Sequence, residues 1–147
     1  MAHLKTEEIL NRHVANWNVL FVKLHNYHWY VGGTHFFTLH AKFEELYNEA
    51  ALHIDELAER LLALQGSPVA SMKEFLETAT VKEAAGEKAY TEMLNTLIKD
   101  FELVSKELND DVATLEGDAD DEATADMLIA IRQSVEKHTW MLRQYMK

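Results

Sequence analysis

Long stretches without a helix breaker constrain this chain more than any other feature. Its 147 residues include one proline and five glycines, and residues 35–64 contain neither. Strands need turn residues at short intervals, so a chain this poor in them is expected to be built from long helices. The apolar spacing agrees. Leu10, His13/Val14, Trp17, Leu20/Phe21, Leu24 and His28 mark one stripe on a helix over residues 6–30. Gly32-Gly33 ends it, and Thr34 is placed to cap a second helix over residues 35–64. Gln65-Gly66-Ser67-Pro68 stops that helix, because glycine accommodates a helix end and proline cannot continue one. In the long connection that follows, Ser71-Met72-Lys73-Glu74 reads as a capping box and predicts a short helix. A third long helix carries Tyr90, Met93/Leu94, Leu97/Ile98, Phe101, Val104, Leu108, Val112 and Leu115, and Gly117 interrupts it. A fourth carries Leu128, Ile131, Val135, His138 and Leu142.

Four long helices with the longest connection between the second and third give an all-α fold. The expected architecture is a ferritin-like four-helix bundle with a short extra helix in the crossover between helices two and three. The length suits a single domain spanning residues 1–147, and 48% hydrophobic residues supply its core. With no cysteine, disulfides, zinc fingers and thiol catalysis are excluded. The opening MAHLKTEE has no apolar signal region and no apolar run approaches a membrane span, so a cytoplasmic location without a membrane partner is expected. A net charge of −11 repels nucleic acid unless basic residues are segregated into a tail. Lys5 precedes Glu7 and Glu8, and the C-terminal end offers only Arg143 and Lys147. DNA binding is therefore expected to be weak or absent.

Metal chemistry is the function the residues suggest. His28 lies on the stripe of helix one, while helix two carries His40 and Glu44, then Asp55 and Glu59, each pair four residues apart. Singly, each element has an ordinary reading: a core histidine, or a solvated acidic face paired with Lys42 or Arg60. Together they offer imidazole and carboxylate, a donor set for iron or another first-row divalent metal. At about 100° per residue, Glu44, Asp55 and Glu59 fall about 40°, 60° and 100° from His40, on one stripe. Glu44 and Asp55 are nevertheless about 16 Å apart along the axis, too far to share one ion across ligand bonds of about 2 Å. A two-fold axis resolves the conflict. A second copy of the helix, antiparallel and centred near Glu49/Ala50, sets His40 and Glu44 of one chain opposite Glu59 and Asp55 of the other, with the small Ala50-Ala51 pair at the crossing. His28 joins from the hairpin about Gly32-Gly33. No Glu is followed by His three residues later, so a di-iron centre inside one bundle, or a ferritin-fold oxygenase, is not expected.

These residues carry a resemblance. His28-Trp29, Gly32, Phe36, Leu39-His40, Phe43-Glu44-Glu45-Leu46-Tyr47, Asp55, Ala58-Glu59-Arg60 and Gly66-Ser67-Pro68 resemble the Dps family (DNA-binding protein from starved cells) at the family spacing. The likeness extends through Asp126-Met127-Leu128-Ile129 and His138-x-Trp140-Met141, nearly the whole chain. It implies a short-tailed miniferritin: a dodecameric homo-oligomer built on two-fold dimers, with a hollow interior that stores ferric mineral. It also implies ferroxidase sites at the two-fold interfaces that oxidise Fe²⁺, preferably with hydrogen peroxide, as a response to oxidative stress. Carried over by position, the di-iron ligands are His28, His40 and Glu44 from one subunit and Asp55 and Glu59 from its mate. Many relatives have Asp where this chain has Glu44, a longer arm that alters bridging at the second iron. Trp29 resembles the family tryptophan beside the site, with either an electron-donor role or that of a core aromatic.

Iron entry has its own signature. From Glu107 to Asp126 the chain holds nine acids in twenty residues and no Lys or Arg. These acids either solvate a loop and stabilise the start of helix four through its dipole, or form a funnel at three-fold axes. Asp118, Asp121, Glu122 and Asp126 are the pore candidates, and Glu45, Glu49 and Glu56 are candidates for mineral nucleation if they face a cavity. The alternative to an enzyme is a DNA-compacting or other non-catalytic interaction protein that retains the bundle.

Overall fold

The computed structural model describes residues 3–147. Its helices are α1 (Leu4–Tyr30), α2 (Phe36–Ala63), α3 (Met72–Thr78), α4 (Tyr90–Glu116) and α5 (Glu122–Tyr145), with no strand among the described residues. The four long helices pair as two hairpins, α1 with α2 and α4 with α5, and α3 lies against α1 within the crossover. The expected all-α bundle with a short helix in the α2–α4 connection is therefore the fold observed. Its apolar stripes meet in one interior. Leu10, Leu20, Leu24 and Tyr27 from α1 pack with Phe43, Leu57 and Leu61 from α2, and with Leu94, Leu97, Phe101, Leu108, Leu128 and Val135 from α4 and α5.

Polar side chains tie the hairpins together. Between α2 and α5 the ties run along the seam: His35 Nδ1 with the Tyr145 hydroxyl at 2.8 Å, Glu49 with Ser134 at 2.8 Å and with His138 at 3.1 Å, and Arg60 Nε donating to Thr124 at 3.0 Å. Between α1 and α4, Asp111 accepts two bonds from the Arg12 guanidinium and one from His13. The buried Lys23 ammonium meets Asp100 at 2.7 Å and donates to the Lys82 carbonyl, holding the crossover down. Asn16 does the same at Thr80 and Val81, accepting both backbone N–H groups on its Oδ1.

Helix ends refine the sequence expectations. Ser71 caps α3 as expected, accepting from the Glu74 N–H, while the Glu74 carboxylate accepts from the Ser71 hydroxyl and the Ala70 N–H. Thr34 does not cap α2. The residue before that helix is His35, with no side-chain cap, and the chain enters through a turn in which Gly33 has φ +85° and the Phe36 N–H bonds the Gly33 carbonyl. At the other end of α2, Gly66 is not the left-handed residue. Gln65 is, at φ +65°, within a Schellman arrangement: Gly66 N–H to the Leu61 carbonyl and Gln65 N–H to the Leu62 carbonyl.

Candidate metal centre

The last turn of α1 and the first turns of α2 face each other across the Gly32-Gly33 turn, and this brings His28 and His40 together. Their rings stack with centroids 3.6 Å apart and planes 15° from parallel. Each is held by the other's backbone: His28 Nδ1 lies 2.7 Å from the His40 carbonyl, and His40 Nδ1 lies 2.8 Å from the His28 carbonyl. A carbonyl only accepts, so each Nδ1 carries the hydrogen and donates it. In the neutral ring that leaves the Nε2 lone pair free, the tautomer and orientation a metal ligand requires. Glu44 extends over the same surface, its Oε1 4.0 Å from His28 Nε2, with its side chain half exposed.

Asp55 and Glu59 are also exposed, on the same stripe of α2 but three turns and more farther along. The cations nearest these acids along α2 are engaged elsewhere. Lys42 pairs with Glu45 and donates to His138 Nδ1, and Arg60 binds Thr124 and Asp121. Among the described residues, no three His, Asp or Glu side chains of one chain gather to hold a metal ion. One chain thus presents two separated groups of candidate ligands, His28, His40 and Glu44 in one and Asp55 and Glu59 in the other, with the three carboxylates exposed.

Rings surround the histidine half. Phe36 stacks on His40 at 4.8 Å, and Tyr47 meets His28 edge-on at 5.3 Å. His25 stacks on Tyr47 at 3.7 Å, and Trp29 lies 5.2 Å from His25. Trp29 is 69% exposed, so within its own chain it is not a core aromatic. Neither Tyr47 nor His25 is among the ligand candidates that the sequence offers. Tyr47 falls within about 20° of His40 on the helical wheel, so its place beside the histidines follows from the spacing.

Two expectations along α2 change. Ala50 is fully buried in its own bundle, whereas Ala51 and Leu52 face outward. Ala51, about 20° from His40, is therefore the small residue on the stripe of candidate ligands. Glu49 does not face open space as a nucleation site would. It lies between α2 and α5, bonded to Ser134, His138 and His53. Burial alone would push its carboxyl up, but those hydrogen bonds outweigh burial and hold it well below the ordinary carboxylate range.

The four pore candidates are in different situations. Asp118 pairs with Lys5 at 2.8 Å. Asp121 caps α5, accepting from the Thr124 N–H and hydroxyl, and also binds Arg60. Burial raises its carboxyl, but the Thr124 bonds and the Arg60 charge bring it below its ordinary value. Glu122 and Asp126, in the first two turns of α5, are exposed.

This fold and surface define a class, and the comparisons agree with it: residues 7–147 match the model of the ferritin-like domain family. The chain belongs to that family and, within it, to the Dps group. It is 57% identical over 139 residues to General stress protein 20U of Bacillus subtilis, covering 95% of each chain. It is 52% identical over 139 residues to DNA protection during starvation protein 2 of Bacillus anthracis, covering 95% of this chain and 94% of that one. The crystal structure of a Dps protein from Bacillus brevis superposes with a TM-score of 0.96 at 50% identity, covering 100% of both chains.

Proposed function

We propose that this chain is a ferroxidase that takes Fe²⁺ as substrate, oxidises it with hydrogen peroxide at two identical sites between paired subunits, and stores the ferric product inside a hollow dodecamer in the cytoplasm. The observation that carries the reading is the His28–His40 pair. Two imidazoles are locked through Nδ1 with Nε2 left free beside Glu44, on a half-site that its own chain does not complete. The mate would supply Asp55 and Glu59, and membership of the Dps family supports the pairing.

The balanced reaction is 2 Fe²⁺ + H₂O₂ + 2 H₂O → 2 FeO(OH) + 4 H⁺. Two irons side by side give peroxide both electrons at once, so its O–O bond breaks without releasing hydroxyl radical. The chain's part is to hold them. Carboxylates of Glu44, Asp55 and Glu59 offset the charge of two divalent ions and can bridge them, and the neutral imidazoles complete the set. Both donor types bind protons in competition with metal, so iron binding weakens as pH falls. Glu122 and Asp126, with Asp118, would concentrate Fe²⁺ at an entry pore, while Asp121 belongs to the helix cap. Trp29 is exposed beside the ring cluster, which supports the electron-donor reading over that of a core aromatic.

The Bacillus anthracis relative's name speaks of DNA protection. In a chain of net charge −11 this favours protection by removing iron and peroxide over coating the nucleic acid. The test is anaerobic Fe²⁺ loading of the unsubstituted protein and His40→Ala, followed by peroxide. Loss of one ligand should slow the rise of ferric absorbance by at least about tenfold, the lower end of what even a supporting partner costs. Matching rises in both proteins would refute the assignment.

A further inference from the structure

Helix α2 carries two seams, and its own bundle uses one of them. Leu39, Phe43, Leu46, Ala50, Leu57 and Leu61 are buried in the core. On the outer side, positions 37, 41, 44, 48, 51, 55, 58 and 62 repeat in alternating steps of four and three, the seven-residue period by which two helices pack along their length. All of these but the partly buried Ala58 are exposed. The two ends are apolar: Phe37 is 87% exposed and Leu62 is 57% exposed, although both are large side chains that gain by leaving water. The seam is also a palindrome. Turned about the axis near Glu49/Ala50, Asn48 falls opposite Ala51, Glu44 opposite Asp55, Ala41 opposite Ala58, and Phe37 opposite Leu62. Carboxylate faces carboxylate only in the layer where a cation is proposed to lie between them.

We infer that Phe37 packs on Leu62 of the mate and closes each metal site at its outer end. This rests on the proposed pairing of α2 with a second copy of itself. The occupant is a second copy because one register does both jobs: the pairing that joins the two half-sites also joins the two exposed apolar side chains, with no adjustment. The alanines at 41, 51 and 58 let the two backbones approach closely. Phe37 stands about one turn before His40, and Leu62 about one turn after Glu59, so their contact is the next layer outward from the histidines and carboxylates. An apolar layer there keeps bulk water from that end of the seam, and the attraction between carboxylates and Fe²⁺ strengthens as water is excluded. Each dimer carries the contact twice, once beside each site.

The chain has no cysteine, so introduced thiols report alone. The test is the assembled double variant Phe37→Cys/Leu62→Cys, treated with a short bismaleimide and run on a denaturing gel beside each single variant. Within one chain the two positions lie about 37 Å apart along the same helix, so the reagent cannot join them there. Both side chains are exposed in their own chain, so the substitutions leave its core intact. Most chains of the double variant should run as covalent dimers, several-fold more than in either single variant. A double variant that joins no more chains than the single variants overturns the inference. Glu44→Cys/Asp55→Cys separates it from the reading beneath. If that pair joins and the Phe37–Leu62 pair does not, only the end contact falls; if neither joins, the paired-helix site falls with it.

Discussion

Glu49 ties two helices together through three side-chain partners. Its two oxygens accept from Ser134, His138 and His53, and Lys42 in turn donates to His138 at 3.3 Å, so one carboxylate anchors α5 to the middle of α2. Glu49→Gln keeps the shape and removes the charge that makes those bonds strong. It should cost about 1–3 kcal/mol, read as a lower unfolding midpoint at fixed protein concentration. The pH dependence has a definite sign. The folded carboxyl lies below its ordinary value, so its stabilisation is complete above the unfolded value of about 4.3 and is lost as pH falls toward the folded one. The gap between the unsubstituted protein and Glu49→Gln should therefore narrow below about pH 4. A constant gap from neutrality into acid would mean the carboxylate's charge is not what holds the seam. The helical wheel already sets Glu49 about 180° from His40, opposite the ligand stripe. What the sequence lacks is the partner: Ser134 and His138 lie 85 and 89 residues away, and only the tertiary fold joins them.

At the scale of the elements, the breakers placed the helices but not the chemistry of every terminus. Ser71 was legible because its cap is local, a hydroxyl and a carboxylate three residues apart. Thr34 failed because main-chain turning at Gly33 begins α2 without a side-chain acceptor. Gly66 was legible as a stop and misread in role. The left-handed position is Gln65, while a Cβ on Gly66 would run into the side chain of the fully buried Leu61. Gln65→Gly should therefore stabilise the protein. It removes a left-handed strain of about 1–2 kcal/mol and returns about 0.4–1 kcal/mol of freedom to the unfolded chain, a net gain of up to about 1.6 kcal/mol. Gln65 is exposed, so no packing is lost with it. Chemical denaturation measures the difference, and a destabilised Gln65→Gly would show that the side chain does more than tolerate its backbone.

At the scale of the whole molecule, the incompleteness of one chain is the informative fact. The spacing on α2 suggests the two proposed half-sites, because a periodic helix fixes which residues share a face and how far apart they lie. The locking of His28 and His40 by each other's carbonyls was not visible, since it depends on how the α1–α2 hairpin closes. If each site takes its histidines from one subunit and Asp55 and Glu59 from the mate, two defective proteins can repair one another. Pair a His40→Ala subunit with an Asp55→Ala subunit. One of the two sites then carries both lesions, and the other has an intact His40 from one chain facing an intact Asp55 from its mate. Unfolding and reassembling equal amounts of the two inactive variants makes half of the dimers mixed, each with one whole site, so peroxide-driven iron oxidation should return to about a quarter of the unsubstituted rate. Each variant reassembled alone should stay inactive. A site built within a single chain allows no such repair, because every subunit keeps its own lesion whatever its mate supplies. The reassembled mixture therefore separates the two architectures by a rate that is either partly restored or absent.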